Sequence, residues 1–104
     1  MPREKPQAND KTVRARIHGR VQGVFFRAWT VGEAQKRGLQ GWVRNRADGT
    51  VEAVFSGAAE KVDDIIAACR KGPPAAEVVR IELGDAPESE AAAYGPGFHQ
   101  APSR

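Results

Sequence analysis

An α+β sandwich with element order β-α-β-β-α-β is predicted for this chain by three observations. Hydrophobic residues recur at period two in four short runs and at helical spacing in two longer ones. Glycine- and proline-bearing turn signals separate the runs. The chain has 104 residues, enough for one core and one domain of the usual roughly 100–200 residues.

Residues 1–11 hold two prolines, mixed charge and almost nothing apolar, and read as a flexible tail ahead of a single domain over 12–104. Thr12–His18 alternates. Val13, Ala15 and Ile17 share one side and Arg14, Arg16 and His18 the other, which is a half-buried strand. Gly19–Gly23 follows as a loop. Phe26–Arg37 reads as a helix stopped by Gly38, with Phe26, Trp29, Thr30 and Ala34 able to share a face. Gln40–Arg46 and Thr50–Ser56 form a hairpin around Asp48-Gly49, a strong turn pair. Ala58–Lys71 is a second helix with Val62, Ile65, Ile66 and Cys69 on its apolar side, ended by Gly72-Pro73-Pro74. Val78–Leu83 is the next strand, with Val79, Ile81 and Leu83 on one face. Residues 84–97 read as irregular, and only Phe98–Gln100 suggests a short fifth edge strand. The order is that of a ferredoxin-like sandwich: a four-stranded antiparallel sheet with two helices on one face.

Composition narrows the function classes. The chain is 40% hydrophobic and 28% charged, as in ordinary globular proteins. No apolar run approaches the roughly 18–20 residues of a membrane span, and the first ten residues contain no apolar signal core. Cys69 is the single cysteine, so no internal disulfide forms, and a cytoplasmic setting is expected. One cysteine and two histidines do not supply the four Cys/His ligands of a structural zinc site, and no cofactor is expected.

Charge is unevenly spread along the sequence. Arg14 to Arg46 holds eight basic residues and one acid, Glu33, whereas Ala47 to Arg104 holds five basic and ten acidic residues. An anionic partner is expected at the first half. Within it, Gly19-Arg20-Val21-Gln22-Gly23-Val24-Phe25-Phe26-Arg27 joins a strand to a helix N-terminus, where unpaired amides and the helix dipole favour an anion. The two glycines let successive amides converge into a nest. Arg27 in the first helical turn opposes the helix dipole by roughly 0.3–1 kcal/mol, a cost that an anion beside it offsets. The spacing is neither G-x-x-x-x-G-K-[ST] nor G-x-G-x-x-G.

The run Ile17-His18-Gly19-Arg20-Val21-Gln22-Gly23-Val24-Phe25-Phe26-Arg27 resembles the first signature of the acylphosphatase family, aliphatic-x-Gly-x-Val-Gln-Gly-Val-x-Phe-Arg, at every specified position. Gly41-Trp42-Val43-Arg44-Asn45-Arg46-Ala47-Asp48-Gly49-Thr50-Val51, with Gly57 six residues on, resembles the second. The resemblance covers about Val13 to Leu83. It implies hydrolysis of the carboxyl-phosphate anhydride of a small acyl phosphate without metal or cofactor. It further implies that Gly19, Arg20, Val21, Gln22, Gly23 and Val24 bind the phosphate, that Arg27 grips it, and that Asn45 orients the attacking water. Inorganic phosphate or sulfate is then expected to inhibit. The chemistry is coherent, because a carboxylate leaves without general-acid help and positioning with charge stabilisation dominates phosphoryl transfer.

Other polar residues have simpler readings. Asp48 is a turn-former, Cys69 and both tryptophans pack, and Phe25 stands at the site entrance. His18 and His99 are left without a role. The C-terminal segment departs from the family pattern, which closes on an aromatic-rich edge strand. Two other classes are weighed: a phosphate-binding regulatory domain without turnover, and a nucleic-acid module on the same fold, which lacks the aromatic pair such a sheet face needs. A monomer without membrane or nucleic-acid partners is expected.

Overall fold

The computed structural model describes residues 10–104. Its elements are β1 (Asp10–Arg20), α1 (Phe26–Lys36), β2 (Gln40–Asn45), β3 (Val51–Ala58), α2 (Ala59–Lys71), β4 (Glu77–Asp85), α3 (Glu88–Ala91) and β5 (Phe98–Gln100). All six expected elements occur in the expected order. Most of the proposed N-terminal tail, residues 1–9, lies outside the described residues. Asp10 and Lys11, assigned to that tail, instead pair with Ala58 and Gly57 as the start of β1.

The sheet order is β4-β1-β3-β2-β5. The first four strands pair antiparallel, as the ferredoxin-like topology requires. β5 pairs parallel with β2, with Gly41 opposite Phe98, so the five-stranded sheet is mixed rather than wholly antiparallel. Register explains the two faces. Val13, Ala15 and Ile17 stand opposite Phe55, Ala53 and Val51. With Val43, they form one buried layer beneath Phe26, Ala34, Val62, Ile65 and Cys69 of the two long helices. Phe98 joins this layer, its ring stacked on Phe55 at 5.5 Å.

The opposite face was expected to stay open. It carries a smaller second core of Trp42, Val54, Ala91 and Ala101, with Tyr94 packed against it. α3 therefore covers part of the segment read as irregular, and Trp42 Nε1 donates to Glu90 O at 2.8 Å. A four-residue helix carries too little periodicity to be seen in sequence.

β4 corrects one expectation. Its register against β1 shifts between His18 and Gly19, so that His18 faces Arg80 while Gly19 faces Val78. The bulge turns Val79 outward, 75% exposed, and Val78 packs on the core in its place beside Ile81. Leu83 is half exposed on the same edge strand.

Because β1 and β2 both run antiparallel to β3, and β5 runs parallel to β2, the carboxyl ends of β1, β2 and β5 lie at one end of the sheet. The connection from β1 to α1 crosses that end.

Candidate active site

The loop begins later than the sequence implied. Gly19 and Arg20 belong to β1, paired with Val78 and Glu77, and the connection proper is Val21–Phe25. Gly19 is needed for close approach of strands: a Cβ there would lie 2.1 Å from the Glu77 carbonyl oxygen. Of the loop residues, Val21 and Val24 bury their side chains and anchor the turn in the core.

Gly23 and Phe25 both have positive φ, 74° and 62°. Val24 between them does not. Such alternation of φ sign is the backbone pattern from which anion nests are built, and here it lies directly at the N-terminus of α1. Phe25 caps the helix in the left-handed region without a side-chain bond, its carbonyl accepting from Trp29 N at 3.0 Å. A non-glycine residue held there costs about 1–3 kcal/mol, strain that concentrates at functional sites.

Charge pairing separates Arg27 from its neighbours. Of the eight cations between Arg14 and Arg46, six pair with carboxylates: Arg14, Arg16, Lys36, Arg37, Arg44 and Arg46. Among the described residues, Arg20 and Arg27 have no carboxylate partner. They flank the loop. The positive field of the first half is therefore concentrated, since Glu33 and acids of the second half pair with the rest of its cations. Glu52, 3% exposed, accepts from Arg14 at 2.8 Å, Arg44 at 2.9 Å and Arg46 at 3.3 Å on the far face of the sheet. Burial pushes its pKa up, but the hydrogen bonds from Arg14 and Arg44 and the charges of Arg44 and Arg46 outweigh this and hold it below its ordinary value.

Asn45 ends β2 on the helix-facing side, opposite Val51. Its Oδ1 is buried and accepts no hydrogen bond among the described residues. An unsatisfied buried acceptor costs about 1–3 kcal/mol and calls for an explanation. Its backbone is well fixed: Asn45 O accepts from Arg104 N at 2.9 Å, and Ala47 N donates to Arg104 O at 2.6 Å. The chain beyond β5 thus clamps the residue that carries the carboxamide.

The sequence reading missed a connection between these parts. It assigned Gln22 to the phosphate loop. Its side chain also donates to the carbonyls of Arg46 at 2.8 Å and Thr50 at 2.9 Å. Gln22 thereby ties the loop to the β2–β3 turn, one residue past Asn45. The only hint in the sequence was an amide side chain amid loop glycines. Asp48 behaves as a turn-former, accepting from Thr50 N at 3.0 Å and Thr50 Oγ1 at 2.6 Å.

Several residues stand apart. His18 Nε2 bonds Glu82 Oε1 at 2.7 Å across the β1–β4 edge. His99 contacts the Pro96 carbonyl. Cys69 is buried and its thiol is pushed up to about 12 by desolvation, so it is not a nucleophile at neutral pH. No group of three or more His, Cys, Asp or Glu side chains suited to a metal ion occurs among the described residues. Trp42 packs, as expected: it is buried beside Ala91 of α3 and offers no stacking platform for a base.

Comparison with known proteins follows the same lines. The acylphosphatase family model matches residues 13–99. A curated acylphosphatase of Rhizorhabdus wittichii is 51% identical over 90 residues, 86% of this chain and 87% of that protein. One from Rhodospirillum rubrum is 52% identical over 95 residues, 89% and 98% of the two chains. Among solved structures, an acylphosphatase from Coxiella burnetii superposes with a TM-score of 0.82 at 27% identity, covering 93% of this chain and 98% of that one.

Proposed function

The chain belongs to the acylphosphatase family and hydrolyses acyl phosphates, and from that premise we propose how its own residues divide the work. The amides of Arg20 to Val24 cradle the phosphate, Arg27 adds a two-pronged guanidinium contact to the same oxygens, and Asn45 orients the attacking water. The Asn45 carboxamide suits that task. Its oxygen accepts from the water and its amino group donates to a phosphoryl oxygen. Gly19 serves the cradle indirectly, by letting β1 and β4 approach. Water attacks phosphorus as the bond to the acyl oxygen breaks. The carboxylate departs with the bonding pair, and a proton of the water passes to a phosphoryl oxygen. None of these steps needs a protein acid or base.

The observation that carries this assignment is an uncompensated guanidinium, Arg27, beside an amide-rich turn in a molecule that pairs nearly all its other nearby cations. The loop, Arg27 and Asn45 come from one chain, which supports action as a monomer. The lone Cys69 supports a reducing, cytoplasmic setting.

Hydrolysis of benzoyl phosphate in EDTA tests the assignment. We expect metal-independent turnover in the wild type, competitive inhibition by inorganic phosphate or sulfate, and a loss of about 10³-fold or more in kcat/KM for Arg27→Ala. Activity retained in that variant, or dependence on a metal, refutes it.

A further inference from the structure

We propose that the groove running from Arg27 past Phe25 to Gln100 holds the acyl group of the substrate, and that Phe25 and Gln100 select flat, uncharged acyl groups. The inference rests on the loop being the phosphate site. A cavity of about 290 Å³ is lined by Gly23, Phe25, Arg27, Ala28 and Gln100, with Val21 and Phe26 at its floor. That size lies near the lower end for small-molecule sites, roughly 300–1,000 Å³, and suits a compact ligand. Two lining residues, Gly23 and Arg27, belong to the anion loop itself. In an acyl phosphate the acyl carbon is two bonds from phosphorus, so a phosphate held at the loop must start its acyl group beside Arg27.

The lining chemistry specifies what fits. Phe25 is 84% exposed, the most exposed of the large hydrophobic side chains described. It contributes nothing to the core, yet its backbone is held at φ 62°. Phe25 lines the groove, where its exposed ring offers a flat apolar wall. Gln100, at the end of β5, supplies a neutral carboxamide that donates to an acyl oxygen or accepts from an acyl N–H. Arg27 is the one charged lining residue, and the phosphate engages it. A second negative charge on the acyl group finds no cation of its own there. The neighbouring groove at Arg20 is lined by Glu77, whose carboxylate opposes an anionic substrate. The groove at Phe25 therefore suits the acyl group better.

The test compares kcat/KM for benzoyl and acetyl phosphate in the wild type, Phe25→Ala, Phe25→Leu and Gln100→Ala, with competitive inhibition by inorganic phosphate as a separate readout. Phe25→Ala is expected to lose about tenfold on benzoyl phosphate and no more than about twofold on acetyl phosphate, with phosphate inhibition unchanged. Phe25→Leu, which keeps an apolar side chain without the ring, should fall between. Gln100→Ala is expected to raise KM for both substrates and leave phosphate inhibition unchanged. An unaltered benzoyl-to-acetyl ratio in Phe25→Ala overturns the subsite, as does an equal loss on both substrates. Should phosphate fail to compete in the wild type, the phosphate-loop assignment itself falls, and the acyl groove with it.

Discussion

At Asn45 one buried oxygen carries most of the information. A strand-end asparagine before a turn is ordinary, but an Oδ1 shielded from solvent with no donor among the described residues is not. If its partner is the attacking water, loss of the carboxamide should spare ground-state binding and raise the barrier. Asn45→Ala is expected to lower kcat about 10²-fold, the usual scale for one oriented polar contact, while the inhibition constant of phosphate stays within about threefold. Asn45→Asp places a carboxylate beside a dianion and should weaken phosphate binding as well. Steady-state kinetics with phosphate as inhibitor separates the two. Equal loss of phosphate affinity in Asn45→Ala and Arg27→Ala would falsify this division between water and phosphate. The proposed site positions come from two dense local motifs, which is why the sequence alone could nominate them. Gln22 was placed in the loop, but its second task escaped notice, because its partners Arg46 and Thr50 are 24 and 28 residues away.

At the scale of elements, the end of the sheet that carries the proposed site is built by three strand ends and one tether. The Gln22 side chain replaces what would otherwise be two separate flexible parts, a glycine-bearing loop and a hairpin turn, with one linked unit. Two hydrogen bonds of this kind contribute together about 1–3 kcal/mol, enough to fix the loop relative to Asn45. Gln22→Ala is expected to lower kcat/KM about tenfold, since misplacement of a catalytic group by about 1 Å costs up to 10²-fold, with a fall of about 1–2 kcal/mol in stability. Urea unfolding together with benzoyl phosphate kinetics checks both. A stability loss with unchanged kinetics would assign Gln22 to structure alone. Elements that run at a clean period were readable: the buried set of α2, Val62, Ile65, Ile66 and Cys69, is the one its spacing implied. β5 was read only as a possible strand, because its pairing is supplied by the distant β2 backbone and by Phe98 stacking on Phe55, neither visible in a segment rich in glycine and proline. The bulge in β4 was likewise set by a partner strand, at Gly19.

At the scale of the molecule, the basic first half and acidic second half fold against each other. Arg14 from β1 and Arg44 from β2 reach across to Glu52 of β3, as does Arg46 just beyond β2, and Arg14 also pairs with Glu90 of α3. One buried carboxylate thus links three strands and, through Arg14, the cover of the second face, while Arg20 and Arg27 have no carboxylate partner among the described residues. Removing its charge leaves Arg44 and Arg46 without a carboxylate partner among the described residues, while Arg14 keeps Glu90. Because those arginines keep some access to water, Glu52→Gln should cost about 2–3 kcal/mol at pH 7, below the roughly 3–5 kcal/mol of a fully buried broken pair. The pH dependence has a definite sign. The folded pKa of Glu52 is held below its ordinary value of 4.5, so its contribution is complete above that value and is lost as pH falls through the lower, folded one. The gap in unfolding free energy between wild type and Glu52→Gln should therefore be widest near neutrality and close in acid. Urea titrations from pH 7 down through the acid limb measure it. A gap that stays constant across that range would attribute the loss to altered packing at the Glu52 position, and the cross-sheet charge network would have to be given up as a source of stability.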